Sequence, residues 1–290
     1  NNSNTIPSSS STSTKNLTKE LPKNTQQILQ SQSDHYTYQH SKDGIDTNLL
    51  IFFHGAGDTH LPFSNLGKQM ELPQTATLSL SASISLNLSE GGSGSFVQLP
   101  FGLGHTWFQE MDYTTGEKLS TNNTKRLTSL KHALKILDPL ICSLIGDKSD
   151  DDCDSCWIPE RIFLFGFSSG ACLAMEFCQV WANAGRMPLG GAICICGGIH
   201  CSDELLGISR KTDKKSKDST DVLIITGDDV YPKKVAEQHK QLYDSSKVQI
   251  YSKKGRGNAM VNSKEEMQVI MKFLSKRLVR RMVSMEGQSR

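Results

Sequence analysis

The 290-residue sequence lacks a long apolar run, a strong net charge and the pattern of a secretory leader. No segment approaches the roughly 18 consecutive apolar residues that a membrane-spanning helix needs. The net charge of +2 is too small to attract nucleic acid or an anionic membrane strongly. No basic stretch followed by an apolar stretch, as in a secretory signal, is present. We therefore expect a cytoplasmic protein with neither a transmembrane segment nor a nucleic-acid partner.

The eight cysteines do not follow the spacing of a structural metal site. Several of them, including Cys194 and Cys196, stand within apolar runs, where buried thiols are common. Cys153 and Cys156 form one CxxC pair next to an acidic stretch, and one such pair is too few for a structural zinc site. The sequence therefore predicts free thiols in a reducing compartment and no metal site.

The first 44 residues are rich in Ser, Thr, Asn and Gln and contain few large apolar side chains. Such a segment buries too little apolar surface to offset the entropy that is lost when it becomes ordered. We predict a disordered tail over residues 1–44, with at most a short helix near residues 26–30. A single domain is expected over residues 45–282, followed by a short C-terminal tail over residues 283–290.

From residue 48 onward, short apolar runs alternate with segments of helical periodicity. The predicted strands are residues 48–53, 75–80, 161–167, 191–196, 222–226 and 248–251. The predicted helices are residues 63–70, 124–144, 169–183, 232–243 and 264–281. Pro139 is expected to kink or break the second of these helices. Strands that are apolar throughout and separated by helices predict an α/β fold, with a mostly parallel sheet and helices on both faces.

Residues 166–170 read Gly-Phe-Ser-Ser-Gly, a GxSxG pattern between a predicted strand and a predicted helix. In that context the central serine stands on a sharp turn, where small neighbours leave room for it. The start of the following helix directs partial positive charge toward the reacting centre. The pattern therefore predicts Ser168 as a nucleophile. The alternative is a turn rich in Gly and Ser that binds nothing.

Small residues follow the first strong strand, where residues 54–58 read His-Gly-Ala-Gly-Asp. Small side chains allow backbone N–H groups to approach a ligand. An oxyanion hole needs two such donors, directed at the oxygen that becomes charged during acyl transfer. We expect these donors to be the N–H groups of Ala56 and Ser169. His54 ends a strand that precedes the serine motif, and we interpret it as structural.

Two consecutive aspartates, Asp228 and Asp229, follow the penultimate strand. An α/β-hydrolase carries its catalytic acid at this point, because its triad runs in the order serine, acid, histidine. Both residues qualify, and we prefer Asp228, which lies four residues before Pro232. The alternative role for either aspartate is to cap the helix that follows.

Four motifs in this order resemble the phospholipase/carboxylesterase family of α/β-hydrolases, which includes acyl-protein thioesterases. The motifs are residues 53–59, the Thr-Trp-Phe at residues 106–108, residues 166–170 and residues 227–232. The resemblance covers about residues 46–280. It implies the α/β-hydrolase fold and the hydrolysis of a small carboxylic ester or thioester substrate, without a cofactor.

Asn258 stands where the family carries its catalytic histidine. The family's closing motif is Gly-x-Gly-His-x-Met, whereas residues 255–260 read Gly-Arg-Gly-Asn-Ala-Met. An amide cannot accept the serine proton, so we expect impaired activity. Three explanations stay open: a natural loss in a protein that binds acyl groups or a partner, an inactivating substitution in an active enzyme, or a base supplied elsewhere. His239 and His105 are the candidates for such a base.

Overall fold

A computed structural model describes residues 17–32, 36–82, 104–112, 115–146, 155–198, 220–227 and 247–282. Several sequence predictions lie outside these ranges. They are the two candidate acids Asp228 and Asp229, the candidate base His239, the helix predicted at residues 232–243 and the C-terminal tail at residues 283–290.

In the part of the chain that the structure describes, seven strands form one sheet in the order β1-β3-β2-β4-β5-β6-β7. The strands are β1 (Tyr36–Gln39), β2 (Asn48–Phe53), β3 (Thr75–Leu80), β4 (Ile162–Phe167), β5 (Gly191–Ile195), β6 (Val222–Gly227) and β7 (Val248–Lys253). β1 pairs antiparallel with β3, and the other neighbouring strands are parallel. The predicted mostly parallel sheet is therefore confirmed.

Helices cover both faces of the sheet. They are α1 (Lys23–Gln32), α2 (His60–Met70), α3 (Thr124–Leu144), α4 (Ser169–Asn183) and α5 (Lys264–Ser275). Alternate residues of β2 enter two separate apolar clusters, because successive side chains of a strand point to opposite faces. Leu49 and Ile51 pack in the cluster with α1, α3 and α4. Leu50 and Phe52 pack in the cluster with α2 and α5.

The N-terminal segment is more ordered than its composition predicts. It contributes α1, whose Leu29 is buried in the core, and β1 at the edge of the sheet. Leu17 donates its N–H to the carbonyl of Gly44 at 3.0 Å and so ties this segment to the domain. The prediction of disorder, with its boundary at residue 44, is therefore wrong for residues 17–32 and 36–44. Burial of a few apolar side chains against the rest of the domain is enough to offset the entropy that this segment loses when it becomes ordered.

Pro139 does not interrupt α3, which is continuous over 21 residues. Proline removes one backbone donor and crowds the preceding turn, which was the basis for predicting a kink or a break. Leu137, Leu140 and Ile141 are nevertheless buried on either side of Pro139. The prediction of a break is therefore wrong, because burial of this apolar face outweighs the local cost.

The last helix is shorter than predicted and ends at Ser275 instead of residue 281. Two buried side chains hold the chain that follows it. Asn48 donates its Nδ2–H to the carbonyl of Val279 at 2.9 Å, and Gln74 accepts the N–H of Arg281 at 2.6 Å. These bonds replace the helical ones, so the apolar periodicity of residues 276–281 does not extend the helix.

Among the described cysteines, the prediction of free thiols fails at Cys156. Cys172, Cys194 and Cys196 are buried free thiols, as predicted. Cys156 is disulfide-bonded, so the prediction of a free thiol there is wrong. Within the described ranges, every helix is too short or too polar to cross a membrane.

Candidate active site

Ser168 occupies a strained turn between β4 and α4. Its backbone has φ 50° and ψ −114°, a conformation that residues with a side chain rarely adopt. Two hydrogen bonds hold this turn. The Ser168 N–H donates to the carbonyl of Ile195 at 2.8 Å, and the Ser168 carbonyl accepts the N–H of Cys172 at 3.0 Å. The strain is thus fixed by β5 on one side and by α4 on the other.

The two glycines of the GxSxG motif are required by contact with backbone. A Cβ on Gly166 would lie 2.4 Å from the carbonyl oxygen of Gly170. A Cβ on Gly170 would lie 2.3 Å from the carbonyl oxygen of Phe53. Neither backbone oxygen can move away without displacing a strand or a helix. These glycines therefore let α4 begin directly against β2 and β4, and this places Ser168 at the carboxyl edge of the sheet.

The loop after β2 passes beside Ser168. A Cβ on Gly55 would lie 3.6 Å from the Cβ of Ser168. The loop is fixed by the Gly57 N–H, which donates to the carbonyl of His105 at 2.9 Å. Ala56 is exposed in this loop, and Ser169 is the first residue of α4. The assignment of the Ala56 and Ser169 N–H groups as oxyanion donors stays a prediction.

His54 is fully buried, and both of its ring nitrogens have partners. Nδ1 lies 2.6 Å from the carbonyl oxygen of Gly55 and donates to it, and Nε2 accepts the N–H of Ala82 at 2.8 Å. Burial lowers the pKa of His54 to about 4. The carbonyl of His54 accepts the indole N–H of Trp107 at 2.8 Å. These contacts agree with a structural role that supports the loop.

Ser168 and Asn258 line the same cavity, which has a volume of about 170 Å³. Thr226, near the end of β6, also lines it, and the two candidate acids follow directly in the chain. Among the described residues that line this cavity there is no histidine. His105 is not one of them, and its backbone pairs with the loop at Asp58. The structure therefore brings the predicted nucleophile and Asn258 to one cavity, and no described residue of its lining supplies an imidazole.

A buried ion pair anchors the loop that carries Asn258. Arg256 and Glu266 form a two-point contact, with Nε–Oε1 at 2.6 Å and Nη2–Oε2 at 3.1 Å. Arg256 also donates from Nη1 to the sulfur of Cys196 at 2.7 Å. The Cys196 thiol in turn approaches the carbonyl oxygens of Gly257 at 3.6 Å and Ala259 at 3.7 Å. The loop is thus tied to the end of β5 and to the first turn of α5.

Burial raises the pKa of the Cys196 thiol, although the nearby Arg256 opposes that shift. Cys196 therefore stays a neutral S–H donor near neutral pH, which suits its contacts with the two loop carbonyls. We did not predict this ion pair from the sequence. The usable signal was an arginine inside a Gly-x-Gly turn, followed ten residues later by a glutamate in the first turn of a helix.

The cavity has charged residues that the sequence analysis missed. Glu110, Lys118 and Arg126 come from the segment before α3 and from its first turn. This segment carries no recognisable motif. One signal was available, because Arg126 precedes Leu130 by four residues and so falls on the apolar face of α3. No group of three or more His, Cys, Asp or Glu side chains that could hold a metal ion occurs among the described residues.

Comparison with known proteins gives one family. Residues 35–278 match the phospholipase/carboxylesterase family. An uncharacterized hydrolase of Mycosarcoma maydis is 31% identical over 194 residues, which are 64% of each chain. An uncharacterized hydrolase of Schizosaccharomyces pombe is 27% identical over 156 residues, 53% of this chain and 55% of that protein. The matches thus span less than two thirds of the length of either relative.

Solved structures of similar shape include two esterases. The crystal structure of esterase PE8 has a TM-score of 0.61 at 21% identity and covers 84% of this chain and 99% of its own. The crystal structure of Zea mays acyl-protein thioesterase 2 has a TM-score of 0.57 at 18% identity, with the same coverage of 84% and 99%. At these identities the likeness concerns the fold, and it confirms the predicted α/β-hydrolase fold.

Proposed function

Because the chain belongs to the phospholipase/carboxylesterase family of α/β-hydrolases, we propose that Ser168 is the nucleophile of a carboxylic ester or thioester hydrolase. The observation that carries this proposal is the strained backbone of Ser168 at the start of α4, beside a cavity that Asn258 shares. A residue held in such a conformation by its surroundings is typical of a functional site.

In the proposed reaction, the hydroxyl oxygen of Ser168 attacks the carbonyl carbon of the substrate. The N–H groups of Ala56 and Ser169 stabilise the negative charge that develops on the carbonyl oxygen. The ester or thioester bond then breaks, and the alcohol or thiol leaves with the proton of the serine hydroxyl. Water hydrolyses the acyl group from Ser168 and restores its hydroxyl group, so no cofactor is needed. Asp228 is the acid that orients the general base, and Asn258 occupies the position of that base.

We infer that activity is impaired, because the Asn258 amide neither accepts a proton from Ser168 nor returns one to the leaving group. In a serine protease, loss of the triad histidine costs about 10⁶ in kcat. A residual rate of about 10³ to 10⁴ over water then comes from the oxyanion hole and from substrate binding. The alternative function is a catalytically inactive protein that binds acyl ligands or a protein partner. The presence of Asn258 in the cavity lining favours this alternative, because an amide side chain does not transfer protons.

Replacement of Asn258 by histidine tests the proposal. We expect Asn258→His to raise kcat for 4-nitrophenyl acetate by at least about 10³, because it restores proton transfer at an existing nucleophile. Labelling of Ser168 by a fluorophosphonate probe should increase in parallel. Addition of Ser168→Ala should abolish both gains.

Asn262→His is the matched control, because Asn262 is exposed in the same loop and does not line the cavity. It adds an imidazole nearby and should leave turnover unchanged. If Asn258→His gives no more turnover than Asn262→His, the assignment of the base position is wrong. Typical esterase rates in the unmodified chain would refute the inferred impairment and require another base.

A further inference from the structure

The cavity beside Ser168 has two positively charged residues in its lining, Lys118 and Arg126, which we call the cationic wall. Among the described lining residues, Glu110 is the one carboxylate that stands against them. Lys118 is exposed, whereas Arg126 is buried with 4% of its surface accessible. The wall therefore places one exposed cation and one buried cation in the lining of the cavity that Ser168 shares.

The side chain of Arg126 has one hydrogen-bond partner among the described residues. A guanidinium carries five N–H donors. Within the described part of the chain, the polar partner of Arg126 is the carbonyl of Thr121, which lies 3.5 Å from Nη1. The guanidinium is held in place over the ring of Phe108, with 5.0 Å from its central carbon to the ring centroid. Packing therefore holds this group in place, and the described residues leave most of its donors without a partner.

In the same protein, Arg256 is an example of a guanidinium whose hydrogen-bond donors have a carboxylate partner. It is also buried, but its Nε and Nη2 both reach the carboxylate of Glu266. For Arg126, no carboxylate among the described residues lies within ion-pair distance. A buried, fixed guanidinium with unused donors on a cavity wall is well suited to a carboxylate, which it binds through two parallel hydrogen bonds.

Glu110 does not neutralise the wall. Burial raises the pKa of Glu110, and Arg126 and Lys118 act in the opposite direction. Even with Glu110 ionised, two cations face one carboxylate. The volume of about 170 Å³ lies below the roughly 300 to 1,000 Å³ of pockets that bind drug-sized ligands. The space beside Ser168 therefore suits a short, charged group.

We propose that the substrate is a short ester or thioester that carries a carboxylate, and that Arg126 binds this carboxylate with help from Lys118. The inference rests on the proposed function, because it assigns the substrate of the Ser168 site. In the reaction, water adds to the carbonyl carbon and the ester or thioester bond breaks. A carboxylic acid and an alcohol or thiol are released, and the second carboxylate of the substrate is unchanged.

Binding to the unmodified chain provides the first test, since it needs no turnover. Glutarate is the anionic probe and its dimethyl ester is the neutral counterpart, both titrated by calorimetry. We expect glutarate to bind, and Arg126→Met to weaken its Kd by at least about 10-fold, as expected for the loss of charge-assisted hydrogen bonds. Lys118→Met should weaken it less, by about 3-fold, because an exposed cation contributes little.

Lys125→Met is the matched control, because Lys125 is the preceding residue of α3, is exposed and does not line the cavity. It should leave the Kd of glutarate unchanged. Thermal melting checks the folding of each variant, and the exposed Lys118 keeps the test decisive if Arg126→Met unfolds. If glutarate does not bind, or binds equally to the Lys125 variant and to both wall variants, the inference is overturned.

Turnover in the Asn258→His background is the second test. It shows whether the carboxylate of the substrate belongs to the acyl group or to the leaving group. The acyl-side substrate is the mono-4-nitrophenyl ester of glutaric acid, with 4-nitrophenyl butyrate as its neutral counterpart. The leaving-group substrate is 4-acetoxybenzoate, with its methyl ester as the neutral counterpart. We expect a preference for at least one anionic ester in kcat/KM, and a decrease of that preference by about 10-fold in Arg126→Met but not in Lys125→Met.

Failure of the hydrolase function and failure of the substrate assignment would give different results in these two tests. If Asn258→His hydrolyses none of the four esters, the proposed hydrolase function fails, while the glutarate titration still decides whether the wall binds a carboxylate. If all four esters are hydrolysed without any preference for the anionic ones, the hydrolase function stands and the assignment of the substrate is overturned.

Discussion

The buried ion pair between Arg256 and Glu266 allows the energetics of the Asn258 loop to be tested directly. Both side chains are almost completely inaccessible, at 1% and 0% exposure. Glu266→Gln keeps the shape of the side chain but leaves the guanidinium without its counter-charge. Removing one partner of a buried pair costs about 3 to 5 kcal/mol. Since the glutamine carbonyl can still accept hydrogen bonds, we expect a loss near the lower end, about 3 kcal/mol.

Urea unfolding at pH 7, followed by circular dichroism, measures this loss. The matched control is Glu265→Gln, because Glu265 is the neighbouring residue in the first turn of α5 and carries the same charge. Its partner is Lys253 at 3.5 Å, and both side chains are well exposed, at 70% and 46%. The control should lose less than about 1 kcal/mol, which covers an exposed ion pair and its interaction with the helix dipole.

Two results would contradict this reasoning. One is a Glu266→Gln variant whose free energy of unfolding lies within about 1 kcal/mol of that of the Glu265→Gln control. The other concerns the double variant Arg256→Met with Glu266→Leu. It removes both charges and leaves no unpaired ion, so most of the stability should return. If the double variant is as unstable as Glu266→Gln, the loss comes from packing and not from charge.

Two further predictions concern the acid and the buried histidine. In the Asn258→His background, Asp228→Asn should lower kcat for ester hydrolysis by about 10⁴ and Asp229→Asn by less than about 10-fold; the reverse order would make Asp229 the acid. His54 has a folded-state pKa of about 4, below its ordinary value of 6.5, so its neutral form stabilises the fold above pH 6.5. That contribution, about 3 kcal/mol, is lost as the pH falls from 6.5 to 4. In urea titrations, the stability advantage of the wild type over His54→Gln should shrink over this range, and a constant advantage would contradict the assignment.

The buried strands could be predicted from sequence almost to the residue, whereas the edge strand β1 could not. β2 and β3 have the predicted bounds, because six consecutive apolar or small residues between turns suit a strand that is buried on both faces. β1 is four residues long, Tyr-Thr-Tyr-Gln, and is half-buried throughout. Its pairing with β3 joins residues about 40 positions apart in the chain. The composition of a short stretch of sequence does not reveal a contact between residues so far apart in the chain.

The candidate site likewise contains residues that could be predicted from the sequence and residues that could not. Ser168 could be predicted because the GxSxG motif encodes its strained turn in five consecutive residues. The cationic wall could not, because Lys118 and Arg126 reach the cavity only through packing of the chain before α3. Phe108, fully buried in the core, supports the guanidinium of Arg126 from eighteen positions away. The sequence shows that Arg126 lies on an apolar helix face, but it does not show that the side chain reaches the cavity.

Among the described residues, the contacts that hold the Asn258 loop do not involve the side chain of residue 258. They join Arg256 to Glu266 and Cys196, and the Cys196 thiol to the backbone at Gly257 and Ala259. Because neighbouring residues set the position of the loop, a change at residue 258 should alter the proposed proton transfer and leave the loop in place. The carboxylate site proposed at Arg126 is likewise independent of that proton. Ligand binding and turnover should consequently separate: the unmodified chain binds the anionic ligand, and Asn258→His adds turnover without a change in that affinity.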